Sequence, residues 1–264
     1  MLDTQALPHY FSAEHADYRA AVRDFVAREI TPFVNEWDEA ETFPRDVYQR
    51  IARLGVLGIG YPEALGGTPA DLFFHIITAE EMARSGSGGV SASLLSHTIG
   101  LPPINAYGSE ALKQRVMPAV LRGDKIAALA VTEPGGGSDV ASLKTTAVRD
   151  GDHYVVSGEK VFITSGMRAD YFTVAVRTDP NNKGAGGISA LMMEGDTPGL
   201  SRTPLKKMGW LCSDTAQIRF DGVRVPVSNL VGEEGAGLGR QMVRDGAPPP
   251  LLQDTSERHG PDRK

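Results

Sequence analysis

The chain has 264 residues, 41% of them apolar, which is room for two ordinary domains with a sizeable core and excludes wholesale disorder. Its 27 basic and 33 acidic side chains leave a net charge of −6, which excludes a nucleic-acid-binding surface spread over the whole protein. The single cysteine, Cys212, excludes a disulfide framework and a cysteine-built zinc site, so no metal is expected.

No segment reaches the roughly 18 apolar residues of a membrane helix. The first residues, Met1-Leu2-Asp3-Thr4-Gln5, do not form a basic stretch followed by an apolar one, so a cytoplasmic protein without a secretory signal is expected. Up to about residue 126 the apolar spacing is helical. Tyr18, Val22, Phe25, Val26 and Ile30 line one face of a first helix, with Ser12 as N-cap and Pro32 as its stop. A second helix runs from Pro44 with Val47, Ile51 and Leu54 on one face and Gly55 near its end. A third carries Leu72, Phe73, Ile76, Ile77 and Glu80 and ends near the run Ser85-Gly86-Ser87-Gly88-Gly89. Two more are expected over 90–101 and 109–121, the last kinked or ended by Pro118.

Beyond residue 126 the pattern alternates. Phe172, Val174 and Val176 alternate with Thr173, Ala175 and Arg177, and Ala216, Ile218 and Phe220 alternate with Thr215, Gln217 and Arg219. Further strands are expected at 145–149, 153–157, 160–164 and 187–194. Closely spaced strands without intervening helices point to a mostly antiparallel barrel or sandwich. A helix is expected to start near Gly235-Ala236-Gly237. The pattern then fails at Asp245-Gly246, and the tail to Lys264, with three prolines at 248–250, has no core-forming periodicity.

The stretch Leu129-Ala130-Val131-Thr132-Glu133-Pro134-Gly135-Gly136-Gly137-Ser138-Asp139 is the most specific in the chain. Three glycines remove side chains and permit left-handed backbone, so the loop can approach a planar or phosphorylated ligand and offer its N–H groups. Thr132 and Ser138 bracket it with hydroxyls. On these residues alone two readings stay open: a ligand loop, or an ordinary glycine-rich connection between domains. Glu133 is acidic and beside the loop, but Pro134 follows it, and it is read as fixing the loop rather than as a base. His97 and Cys212 are read as packed side chains.

Thr132-Glu133-Pro134-Gly135-x-Gly137-Ser138-Asp139 resembles the flavin-binding signature of the acyl-CoA dehydrogenase family. Four further pieces resemble that family in the same order. They are Tyr61-Pro62-Glu63-Ala64-Leu65-Gly66-Gly67, the run from Gly158 to Gly166 (GEKVFITSG), the run from Lys207 to Thr215 (KMGWLCSDT), and the run from Phe220 to Pro226 (FDGVRVP). The resemblance spans residues 10–243. It implies an α+β multidomain fold: an N-terminal all-α helical domain over 1–126 followed by an antiparallel β-barrel domain over 127–232. It also implies the start of a C-terminal helix over 233–244, a disordered tail over 245–264, and the family's C-terminal four-helix bundle missing. By the same resemblance Leu129, Ala130, Val131, Thr132, Gly137, Ser138, Phe162, Ile163 and Thr164 bind the cofactor FAD. Phe162 stacks where many members carry Trp, the Thr164 hydroxyl stands beside flavin N5, and Ser138 also touches the acyl-CoA.

The family removes a proton from Cα of an acyl-CoA thioester and a hydride from Cβ, and passes the electrons to electron-transfer flavoprotein. Its base is a glutamate of the C-terminal helical domain, and nothing aligns Glu257 with it. The expectation is therefore a truncated family member, with a reading-frame shift near 243–246, no catalytic residue of its own, and weak or no retention of FAD. The family's homo-oligomer is not expected of it, and its exposed apolar surface favours association. The alternatives are a non-catalytic acyl-CoA or flavin-binding module and a non-functional fragment.

Overall fold

The computed structural model describes residues 10–182 and 184–236. Eight α-helices lie in its first half. Helix α1 (Ala13–Glu29) starts at Ser12, whose hydroxyl accepts from the His15 backbone N–H, while the Ser12 N–H donates to the His15 ring at 2.9 Å. Its Val22, Phe25 and Val26 face is buried, as the spacing predicts. Pro32 restarts the chain into α2 (Val34–Glu39), which the apolar pattern does not announce because Trp37 alone of its six residues is buried. Helix α3 (Asp46–Ala52) buries Val47, Tyr48 and Ile51, and Leu54 falls beyond its end, exposed.

Helix α4 (Leu72–Ala83) turns a different face inward from the predicted one. Ile77, Thr78, Glu81 and Met82 are buried, and Leu72 and Ile76 are exposed. The cause is Glu81, whose carboxylate meets Arg19, Arg23 and Arg84. That polar anchor fixes the helix rotation against its apolar count. The single helix expected over 90–101 is two, α5 (Gly88–Leu94) and α6 (His97–Gly100), followed by α7 (Pro102–Tyr107), which opens on proline. Proline lacks the N–H a continuing helix requires, and it suits the first turn of a new one. Helix α8 (Glu110–Leu121) is capped by Ser109 and ends within a turn of Pro118.

One sheet follows, of strands β1 (Ala127–Ala130), β2 (Thr146–Asp150), β3 (His153–Thr164), β4 (Tyr171–Arg177), β5 (Ile188–Glu194), β6 (Leu200–Pro204), β7 (Thr215–Pro226) and β8 (Leu230–Val231). Their order is β6-β7-β3-β2-β4-β5-β8, with β1 also on β4. Most pairings are antiparallel, but β1 and β2 both run parallel to β4, so the domain is a mixed sheet. β1 pairs Tyr171–Val174, β2 pairs Arg177, and β5 occupies the opposite edge of β4. β1 and β2 are thus two halves of one interrupted strand, and residues 131–145 leave the sheet between them.

The two strands expected at 153–157 and 160–164 are a single β3, bent where its register with β7 shifts. One core cluster joins the two halves of the molecule, with Val22, Ile51 and Met82 from helices and Ala128, Phe172 and Ile218 from the sheet. Of the helix expected over 233–244, Glu233–Ala236 form a turn instead, held by Tyr154 on Glu234 at 2.7 Å and by the Gly235 N–H on Ser189 Oγ at 2.8 Å. The remainder of that helix and the tail 245–264 lie outside the described residues. Among the described residues no helix is long and apolar enough to cross a membrane.

Candidate functional site

The interruption between β1 and β2 builds the site. After Ala130 the chain turns off β4, and the Thr132 carbonyl accepts from the Val161 N–H at 2.9 Å. That bond lays residues 131–133 beside the last third of β3. Glu133 and Gly136 then exchange backbone hydrogen bonds of 3.0 and 3.1 Å, closing a tight turn over Pro134 and Gly135. None of Gly135, Gly136 and Gly137 takes the left-handed conformation that three glycines permit. Their contribution is open space. A Cβ at Gly135 or Gly136 would meet nothing within 4 Å, and one at Gly137 would stand 3.2 Å from Thr132 Cγ2.

The turn hangs on Glu133. Its carboxylate accepts from the Lys144 N–H at 2.6 Å, the Thr145 N–H at 2.8 Å and Lys160 Nζ at 2.9 Å. Lys160 is wholly buried and donates as well to the Val131 carbonyl at 2.9 Å, so one ammonium holds the chain on both sides of Thr132. Burial raises the Glu133 pKa, but the Lys160, Thr145 and Lys144 hydrogen bonds outweigh it and hold the carboxyl below its ordinary range. Burial lowers the Lys160 pKa, and Glu133 opposes that shift. With three donors on an ionised carboxylate, Glu133 fixes the loop.

Phe162 owes its position to a bulge. Lys160 pairs with Ile218 and Ile163 with Ala216, so Val161 and Phe162 together oppose Gln217 alone. Phe162 takes φ 62°, which is unusual for an aromatic residue, and its ring is 69% exposed. Between buried Val161 and Ile163 this one flat apolar side chain is thus turned outward, one residue from the Val161–Thr132 bond. The neighbouring Ile163 is buried against the core, as is Ala130, so each can offer a ligand its backbone but not its side chain. Leu129, Val131, Thr132 and Thr164 are half-buried along the two strips, and Gly137 and Ser138 are exposed on the outer loop.

His97 is packed. Burial pushes its pKa down to about 4, against hydrogen bonds to the backbone of Leu94 and Leu57. Cys212 is buried, and burial followed by Asp38 raises its thiol to about 11, so it is no thiolate near neutrality. In the sequence Lys160 is marked only as part of the GEKVFITSG run, which does not reveal its anchoring of the loop. The available signal was a charged residue in a buried strand. Nor does the sequence mark Ser165, which follows Thr164 at φ 61° and is fully buried.

The model of the acyl-CoA dehydrogenase N-terminal domain matches residues 12–124, and that of the middle domain matches residues 128–223. Isobutyryl-CoA dehydrogenase of Dictyostelium discoideum is 38% identical over 230 residues, 87% of this chain and 55% of that protein. The crystal structure of acyl-CoA dehydrogenase from Geobacillus kaustophilus superposes with a TM-score of 0.85 at 40% identity, covering 89% of this chain and 62% of that one. An acyl-CoA dehydrogenase from Bacillus anthracis, complexed with FAD, gives 0.80 at 35% identity, covering 88% and 40%. The chain spans little more than half the length of the curated relatives it matches. With the two domain models matched in order and the motif loop built as one site, this chain belongs to the acyl-CoA dehydrogenase family.

Proposed function

We propose that the two strips, 129–133 and 162–164, form the binding surface for the isoalloxazine ring of FAD. The observation that carries this reading is the Val161-to-Thr132 backbone bond, which sets the outward Phe162 ring beside a glycine turn kept free of side chains. An exposed aromatic face next to open backbone suits a flat aromatic ligand. The Thr132 and Thr164 hydroxyls stand on the same two strips and can meet ring heteroatoms. Ser138, on the exposed side of the turn, would face an acyl-CoA. When bound, FAD supplies the acceptor for the hydride leaving the substrate's β-carbon, and the bound relative from Bacillus anthracis supports that cofactor.

The corresponding reaction is α,β-dehydrogenation of an acyl-CoA to the trans-2-enoyl-CoA, with electron-transfer flavoprotein as acceptor. These 264 residues alone would bind and orient flavin without completing the reaction. Glu133, the acid beside the loop, is held ionised by three donors and is committed to structure. The family's base belongs to a C-terminal domain outside the two matched models. That same occupancy of Glu133 favours, as a second reading, a flavin-binding module without catalysis.

Titrating the purified chain with FAD, followed by flavin fluorescence and the visible bands, tests the ring site. Weak but saturable binding is expected, lowered further, at least about fivefold, by Phe162→Ala with little change in melting temperature, because the residue is mostly exposed. No saturable change, or equal binding by the variant, overturns the ring site. Anaerobic addition of an acyl-CoA to the loaded chain is expected to leave the flavin oxidised. Bleaching by these 264 residues alone would overturn the proposal that they do not complete the reaction.

A further inference from the structure

The two strips that line the proposed ring site share one anchor in the helical half of the molecule. Ser165 ends the β3 strip. Its N–H donates to the Asp214 carbonyl at 2.8 Å, and its own carbonyl accepts from Ala169 at 2.8 Å and Arg168 at 3.1 Å. Its hydroxyl is turned the other way and donates to Ser96 Oγ at 3.0 Å, with the Ser93 carbonyl a longer second acceptor at 3.5 Å. Ser96 lies at the junction of α5 and α6, and its hydroxyl in turn donates to the Ala127 carbonyl at 3.1 Å. Ala127 is the first residue of β1, the strand that becomes the other strip.

Ser165, Ser96 and Ala127 are all buried. The donors run in one direction, from the end of the β3 strip, through a helix-junction hydroxyl, to the start of the β1 strip. Around the relay the contact is tight. A Cβ at Gly100 of α6 would stand 3.1 Å from the Ala128 backbone, and Thr173 Oγ1 donates to the Gly100 carbonyl at 2.7 Å. Nearby, Tyr48 donates to the Ser93 carbonyl at 3.0 Å and Ser93 to Ser213 at 3.1 Å, so the helix junction itself is held from several sides.

Ser165 keeps φ 61°, a conformation a non-glycine residue holds only when its surroundings impose it. Phe162 has the same hand of backbone three residues earlier, so Ile163 and Thr164 are bracketed by two left-handed residues. Glycine would adopt the backbone at 165 without steric strain, but it would carry no hydroxyl.

We propose that the Ser165–Ser96 hydroxyl bridge is a positioning device that sets the spacing of the two strips and so couples the helical domain to the flavin edge; this rests on the ring site proposed above. Neither serine touches the ring. Both act through the backbone of their strips, Ser165 on Thr164 and Ser96 on β1.

The test uses the full chain with Ser165→Gly and Ser96→Ala, singly and together. Ser165→Gly removes the hydroxyl at a left-handed position that glycine tolerates, so a loss cannot come from new backbone strain. Two measurements are read: amide hydrogen exchange of residues 127–132 and 162–165 without flavin, and FAD affinity with the resolution of the flavin bands. Each single variant is expected to speed exchange in both strips while β4 and β5 stay protected. Each is expected to weaken FAD about fivefold, as for one buried hydrogen bond, and the double variant to be no worse than either single. Exchange that rises only in the strip carrying the substitution, or additive losses of affinity, overturns the bridge. If wild type binds FAD and the variants bind it equally with unchanged bands, the positioning role falls and the ring site stands. If wild type binds no FAD, the ring site falls and the positioning role with it.

Discussion

Two buried carboxylates brace the two halves of this molecule, and they are built differently. Glu81 of α4 is fully buried, but its cations, Arg19 and Arg23 from α1 and Arg84 from its own helix end, keep part of their guanidinium groups in water. Glu133 of the glycine turn has one cation, Lys160, and that side chain has no exposure at all. The helical carboxylate joins two regular helices that already satisfy their own backbone. The loop carboxylate holds a segment that has left its sheet, where the Lys144 and Thr145 N–H groups need an acceptor. A redundant, hydrated ion cluster suits the first task. A single dry pair suits the second because it fixes one geometry, and it leaves no substitute if a partner is lost.

The largest expected effect follows from that difference. Lys160→Met leaves the Glu133 carboxylate without its cation and removes the donor on the Val131 carbonyl. A loss of about 3–5 kcal/mol in urea unfolding is expected. Arg23→Met leaves Arg19 and Arg84 on Glu81 and is expected to cost about 0–1 kcal/mol. Similar losses for the two would show that burial of the cation does not decide the matter.

Acid separates the halves next. Buried His97 has its pKa lowered from 6.5 to about 4, so the folded chain keeps it neutral while the unfolded chain takes up a proton below 6.5. His97 alone therefore withdraws stability as pH drops through that window, by about 1.4 kcal/mol per pH unit at most, and half-buried His75, whose pKa burial also lowers, adds to the same fall. Glu81 and Glu133 both titrate below the ordinary 4.5, Glu81 because its arginines outweigh its burial. Their stabilisation is complete above 4.5 and is lost only as pH falls beneath it toward their folded values. Urea midpoints between pH 7 and 3.5 are expected to show two limbs. His97→Gln should make the upper limb shallower, leaving the share of His75, and should leave the lower limb unchanged. An upper limb unchanged by that substitution would remove His97 from the account.

The sequence disclosed its fold where one periodicity ruled, and concealed it where a single polar contact or backbone break decided. The α1 face and its Ser12 cap are visible because burial follows every third or fourth residue there. The α4 face is not, because one carboxylate with three arginines outweighs Leu72 and Ile76, and two of those arginines, Arg19 and Arg23, lie far off in sequence. The parallel pairing of β1 and β2 with β4 is invisible because alternation fixes which side chains face the core, not which strand lies alongside. At the site, the motif marked the glycine turn and the Phe162 strip. It did not mark the bulge that turns Phe162 outward, which depends on register with β7. Nor did it mark the Ser165–Ser96 bridge, which joins residues 69 positions apart.

A small effect is also expected where the two halves meet at Cys212. Cys212 lies against Ser87 of the α5 cap, with Sγ 3.5 Å from its hydroxyl, while the Cys212 N–H donates to Asp38 of α2 at 2.9 Å. A Cβ on Gly89 would stand 2.8 Å from Sγ, so the sulfur fills its space. Cys212→Ala removes that one atom and a weak hydrogen bond but keeps the backbone link to Asp38. The expected cost is about 1 kcal/mol, as for a small cavity. The thiol, pushed up to about 11, should also resist alkylation at pH 8 until urea unfolds the chain. Rapid alkylation of the folded protein would show the contact opening on its own. It would then be the weak joint of the structure, and a loss near that of Lys160→Met would place the decisive seam between the domains rather than under the glycine turn.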